Sequence, residues 1–120
     1  MNFEKFESLQ KLELGKFVAA VVKNEELDES ILNYYRSFSS KLDGPHIEML
    51  AVLLGELGTP AALSEVTQLL EHPKKYVRYQ AAEVLSRAPA LSTEIIAKLE
   101  QILKNPNYSE ELKHLRKLLE

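Results

Sequence analysis

The chain has no cysteine, which excludes a disulfide scaffold, a thiolate metal site and a cysteine nucleophile. Glycine (4) and proline (5) are sparse in 120 residues, and 28 % of side chains are charged, so this is not a disordered or low-complexity chain. No apolar run approaches the roughly 20 residues of a membrane helix, so no membrane partner is expected. A strong charge of either sign is missing too. The net charge is −3. Residues 1–60 carry six basic and ten acidic side chains, net −4; residues 61–120 carry nine basic and eight acidic, net +1. Neither half has the basic footprint that phosphate neutralisation requires, which disfavours nucleic acid as a partner. Residues 1–12 include Glu4 and Glu7, unlike a secretory leader, and the expected compartment is the cytoplasm.

What is present is an apolar content of 45 %, enough for one domain over residues 1–120. The apolar positions recur with helical period: Ile31, Leu32, Tyr35, Phe38 and Leu42; Ile47, Leu50, Ala51, Leu54 and Leu57; Leu63, Val66, Leu69 and Leu70. The pattern continues through Val77, Ala81, Val84 and Leu85, through Ile95, Leu99 and Ile102, and through Leu112 and Leu115. No stretch alternates with period two for long enough to predict a sheet. Asp28, Thr59-Pro60 and Ser92 mark helix starts, and Gly58 marks a helix end. These signals predict helices near 28–42, 45–57, 60–71, 74–88, 92–104 and 109–119. Residues 3–23 read as one long helix or as two short ones broken near Leu14-Gly15. Short connections make successive helices antiparallel neighbours. A shift of 33 residues carries Leu69-Leu70-x-x-Pro73 onto Ile102-Leu103-x-x-Pro106. Such self-similarity predicts stacked helix pairs, with units at 28–58, 59–88 and 92–120 and a capping segment at 1–27.

The run Leu54-Gly55-Glu56-Leu57-Gly58-Thr59-Pro60-Ala61-Ala62-Leu63, followed by Val77-Arg78-Tyr79-Gln80-Ala81-Ala82-Glu83-Val84-Leu85, resembles the HEAT-like repeats of the phycobilin-lyase type. The match is good from Leu54 to Leu85 and partial on either side. The resemblance implies an all-α, right-handed α-solenoid of antiparallel helix pairs. It also implies a structural Arg78, although the acids that commonly support it in the family are replaced here by Thr59 and by the Pro73–Tyr76 stretch.

Catalytic and metal-binding constellations are not visible. His46, His72 and His114 form no ligand pair at helical spacing and read as surface histidines. Ser39, Ser40 and Ser64 have no neighbouring histidine in sequence, and Glu25-Glu26-Asp28-Glu29 reads as solvated acids before a helix. Gly55-x-x-Gly58 reads as a helix end rather than a nucleic-acid clamp. No enzyme and no cofactor are therefore expected. What remains is a surface. On the helix from Lys74, the face opposite the apolar stripe carries Tyr76, Tyr79, Glu83 and Arg87. Corresponding positions one unit earlier are Glu48, Val52 and Glu56, and one unit later Arg116. The resemblance places this stripe on the concave side of the array. Tyrosine and arginine anchor protein interfaces well because they bury large area and still hydrogen-bond at the tip. The reading is a protein-binding groove of unknown partner, on a monomer in preference to a homodimer. The alternatives are an immunity-type protein masking a toxin and a tetrapyrrole-lyase accessory subunit. Tyr34 is expected at the surface and Tyr35 in the core.

Overall fold

The chain forms α1 (Phe3–Ser8), α2 (Lys11–Lys23), α3 (Glu29–Phe38), α4 (Gly44–Leu57), α5 (Pro60–Gln68), α6 (Lys75–Ser86), α7 (Thr93–Leu103) and α8 (Pro106–Ser109). Short 3₁₀ turns, Ser39–Lys41 and Leu69–Glu71, extend α3 and α5. This computed structural model describes residues 1–88, 90–109, 112 and 115, and no strand occurs among them.

Side-chain caps set several of the helix starts. Asp28 Oδ1 accepts the Ser30 amide at 2.9 Å, Thr59 Oγ1 the Ala62 amide at 3.2 Å and Ser92 Oγ the Ile95 amide at 3.2 Å. Gly58 closes α4 at φ 68°, where a side chain would be strained. The end of α2 uses the same geometry without glycine. Glu25 sits at φ 57°, its amide bonds to Val22 O, and the Glu26 amide reaches Val21 O at 3.0 Å. A glutamate in that role carries no sequence signal.

Helix α4 is the hub, packing against α2, α3, α5 and α6, while α5 also meets α7. Leu50, Ala51, Leu53 and Leu54 of α4 are fully buried among Leu14, Val18 and Val21 of α2 and Val77, Ala81, Ala82 and Leu85 of α6. Their alanines let the helix backbones approach. The result is a short α-solenoid in which α2, α4 and α6 make one layer and α3, α5 and α7 the other.

Four expectations are corrected. Residues 3–23 form two helices, but the break is at Leu9-Gln10, both extended; Gly15 stays inside α2 because Leu14 and Val18 on either side are both buried. Tyr34 is buried (6 % exposed), with its hydroxyl donating to Glu7 Oε1 at 2.7 Å and its ring stacked on Phe3. Phe38, placed in the core by periodicity, is 42 % exposed, because α3 ends there and Tyr34 takes the interior position. His46 is not a surface residue: it is buried, its Nε2 donates to Phe6 O at 3.0 Å, and its ring meets Phe6 edge-on. The helix expected over 109–119 lies largely outside the described residues.

Candidate functional site

The period of α6 puts Val77, Ala81, Ala82 and Leu85 in the core and turns Tyr76, Tyr79, Glu83 and Arg87 outward. Tyr76 is 37 % and Tyr79 42 % exposed, so each side chain is partly covered by the protein and partly open to solvent. On α4 the same logic leaves Glu56 exposed and Glu48 and Val52 half-buried at the surface. The α4–α6 packing brings both stripes onto one surface. Arg116 lies outside the described residues.

Two glycines govern how closely the stripes approach. A Cβ at Gly55 would collide with Val84 Cγ1, so Gly55, in the last turn of α4 that Gly58 closes, is also a contact point for α6. A Cβ at Gly44 would occupy the position of Tyr76 Oη and press on Lys74 Cδ. The first helical turn of α4 therefore seats Tyr76.

Beside Gly55 the two helices leave a groove of about 300 Å³. Val52, Val84 and Ala88 supply its apolar wall, and Glu56, Gln80 and Arg87 its polar rim. Three of the predicted residues, Val52, Glu56 and Arg87, thus line one cavity; Tyr76, Tyr79 and Glu48 lie toward the other end of the same face. Arg87 Nη2 pairs with Glu83 Oε1 at 2.6 Å across one helical turn, an exposed pair worth only a few tenths of a kcal/mol (about 0.3–0.5).

At the Tyr76 end the charges are mostly lysines. Lys11 Nζ stands 5.8 Å from the Tyr76 ring centroid and Lys75 Nζ 5.6 Å from that of Tyr79. Burial pushes the Glu48 carboxyl above its ordinary range, and nearby Lys11 opposes the rise. Lys11 went unnoticed in the sequence because it belongs to α2, whose register no repeat motif defines. His72, just before α6, is partly buried; its imidazole is held below the usual histidine range first by burial and then by Lys74 and Arg78. Its Nδ1 accepts the Lys74 amide at 3.1 Å. Arg78 donates from Nη1 to the carbonyls of His72 and Pro73 at 2.9 and 3.0 Å. Backbone oxygens of the preceding turn thus receive the guanidinium where the Pro73–Tyr76 stretch brings no acid.

A larger hollow of about 740 Å³ lies on the opposite layer, between α5 and α7. Its lining is mixed, with Arg36, Ser64, Thr93 and Lys98 prominent, and Arg36 is bound to Glu65 at 3.1 Å. Its residues come from different helices, so no local motif announces it. Among the described residues no cluster of histidine and carboxylate side chains could hold a metal, and no helix is long and apolar enough to cross a membrane.

Compared with models of known families, residues 41–119 match the model for HEAT repeats. No curated protein matches the chain, and no solved structure matches it.

Proposed function

The chain belongs to the HEAT-repeat family, and we propose that it is a non-catalytic interaction module that holds a protein partner on the outward face of α2, α4 and α6. HEAT repeats are in general protein-interaction scaffolds, and the family is typically non-catalytic. The single observation that carries the choice of face is a continuous run of exposed and half-buried side chains across α4 and α6. Tyr76 and Tyr79 stand at one end, Val52, Glu56 and Arg87 around a groove at the other. Large amphipathic rings half out of the surface make anchors for a partner, because covering them removes apolar area from water while the hydroxyl keeps a hydrogen bond. Affinity on such a small array rests on a few of these residues rather than on total area.

The test is affinity capture from lysate of the native cell with the wild-type chain beside a Tyr79→Ala/Arg87→Glu variant of unchanged helicity. One protein retained by wild type and lost by the variant is the expected result. Equal capture by both forms overturns the choice of face. One observation favours a second reading: Glu25, Glu26, Asp28 and Glu29 are all exposed around the α2–α3 turn, as a surface masking a basic toxin requires. Capture of a basic protein that survives the Tyr79→Ala/Arg87→Glu change but is lost on neutralising those acids selects that reading.

A further inference from the structure

We propose that the α2–α4–α6 face takes an acidic peptide segment, with carboxylates at the Tyr76 end and an apolar side chain in the groove beside Gly55; the inference rests on the interaction-module reading above. The chain as a whole is net −3, yet three lysines gather at one end of this face. Lys11 lies over the Tyr76 ring, Lys75 over the Tyr79 ring, and Lys74 shares with Tyr76 Oη the space left by Gly44. Glu48 is the acid beside Lys11. Three lysines against Glu48 and Asp43, which precedes Gly44, leave this end locally cationic in a chain that is net negative.

None of these three ammonium groups takes part in an ion pair among the described residues. Contact with the ring faces steadies those of Lys11 and Lys75, so their ordering is partly complete before a ligand arrives. The start of α6 adds to the positive potential. No side chain caps its first turn, which holds no acid; the Lys74 amide is taken by His72 Nδ1 and that of Val77 by Lys74 O, which leaves the amides of Lys75 and Tyr76 for a ligand. A carboxylate supplied from outside would meet both.

The rest of the face selects against a ligand that is anionic throughout. At the groove end Arg87 is paired with Glu83 and Glu56 adds a negative charge, so a continuous phosphate backbone finds no net cation there. Val52, Val84 and Ala88 there call for an aliphatic side chain instead. Tyr76 and Val84 are eight positions apart on one helix, a rise of roughly 12 Å. An extended peptide covers that in about four residues at ~3.3 Å each. The fitting ligand is a pair of acidic residues and an aliphatic residue about four positions away.

The experiment is fluorescence anisotropy with fluorescein-labelled peptides carrying two glutamates and one leucine, set two, four or six positions apart by Gly-Ser spacers. Controls are the four-position peptide with lysines replacing the glutamates, and a labelled oligothymidylate. The four-position glutamate peptide should bind best, more weakly as salt rises. A Lys74→Glu/Lys75→Glu variant should lose about tenfold in affinity. Both substitutions put acids at a helix start, where they are tolerated, and Lys98→Glu on α7 should change nothing. Equal binding of the lysine peptide, tighter binding of oligothymidylate, an unchanged affinity in the double variant, or no binding of the glutamate peptides at millimolar concentration would each overturn the inference. The lysate capture separates this failure from that of the broader reading. A partner lost with Tyr79→Ala/Arg87→Glu but kept by Lys74→Glu/Lys75→Glu leaves the interaction face standing and removes the acidic peptide.

Discussion

The N-terminal end and the α4–α6 seam solve the same packing problem in opposite ways. At the N-terminal end, bulky rings fill the gap. Phe6 is fully buried, with Phe17, Tyr34 and His46 ring centroids at 6.0, 6.2 and 5.0 Å. Two polar tethers cross the same gap, Tyr34 Oη to Glu7 at 2.7 Å and His46 Nε2 to Phe6 O at 3.0 Å. Burial, and then the bond to Glu7, push the Tyr34 hydroxyl well above its ordinary pKa, which keeps it a donor. At the seam, space is removed rather than filled: Ala51, Ala81 and Ala82 are fully buried, and Gly55 gives its Cβ position to Val84. A six-residue helix cannot hold itself by its own backbone bonds, so α1 needs large side chains that reach. Long α4 and α6 already have their backbone bonds, and short side chains let them come close.

Three substitutions would break or sharpen that contrast. The largest effect is expected for Phe6→Ala, which removes the ring at the centre of the aromatic cluster and should cost about 3–5 kcal/mol in urea unfolding. Hydrogen exchange should show the loss first in α1 and the start of α2, and a cost under about 1 kcal/mol would mean that α1 is not held by that ring.

Next is Gly55→Ala. The added methyl meets Val84, for about 1–3 kcal/mol of overpacking, against about 1 kcal/mol gained in helix propensity. In a Val84→Ala background the same change should cost nothing or stabilise, giving a coupling of about 1 kcal/mol or more in a double-mutant cycle. Additive costs would show that Val84 is not what Gly55 accommodates.

The smallest effect has the opposite sign. A Cβ at Gly15 meets nothing within 4 Å, so Gly15→Ala should stabilise by about 0.5–1 kcal/mol through propensity alone. A destabilisation in thermal melts would show that this exposed position on α2 is covered in solution.

Residues whose role is local were legible in the sequence. Asp28, Thr59 and Ser92 cap the helices they precede, and Gly58 ends α4 in the left-handed region, because caps and positive φ depend on only a few adjacent residues. The outward stripes of α4 and α6 were legible too, since a helical period fixes which side chains oppose the core. Tyr34, Phe38 and His46 were misread for a common reason. Each depends on where α1 or the end of α3 comes to rest, and periodicity within one helix does not contain that information. The same holds for Lys11, which joins the candidate face only because α2 packs on α4.

The sequence by itself determined an all-helical chain, the starts of its capped helices and the side of α4 and α6 that faces out. These follow from backbone propensity, capping and a 3.6-residue period, which act over a turn or two. Tertiary packing alone decided that His46 and Tyr34 go inside, that Gly55 and Gly44 are contact points, and that lysines from α2 and α6 stand around two tyrosine rings. Those are distances between residues far apart in the chain, set by how closely whole helices can approach.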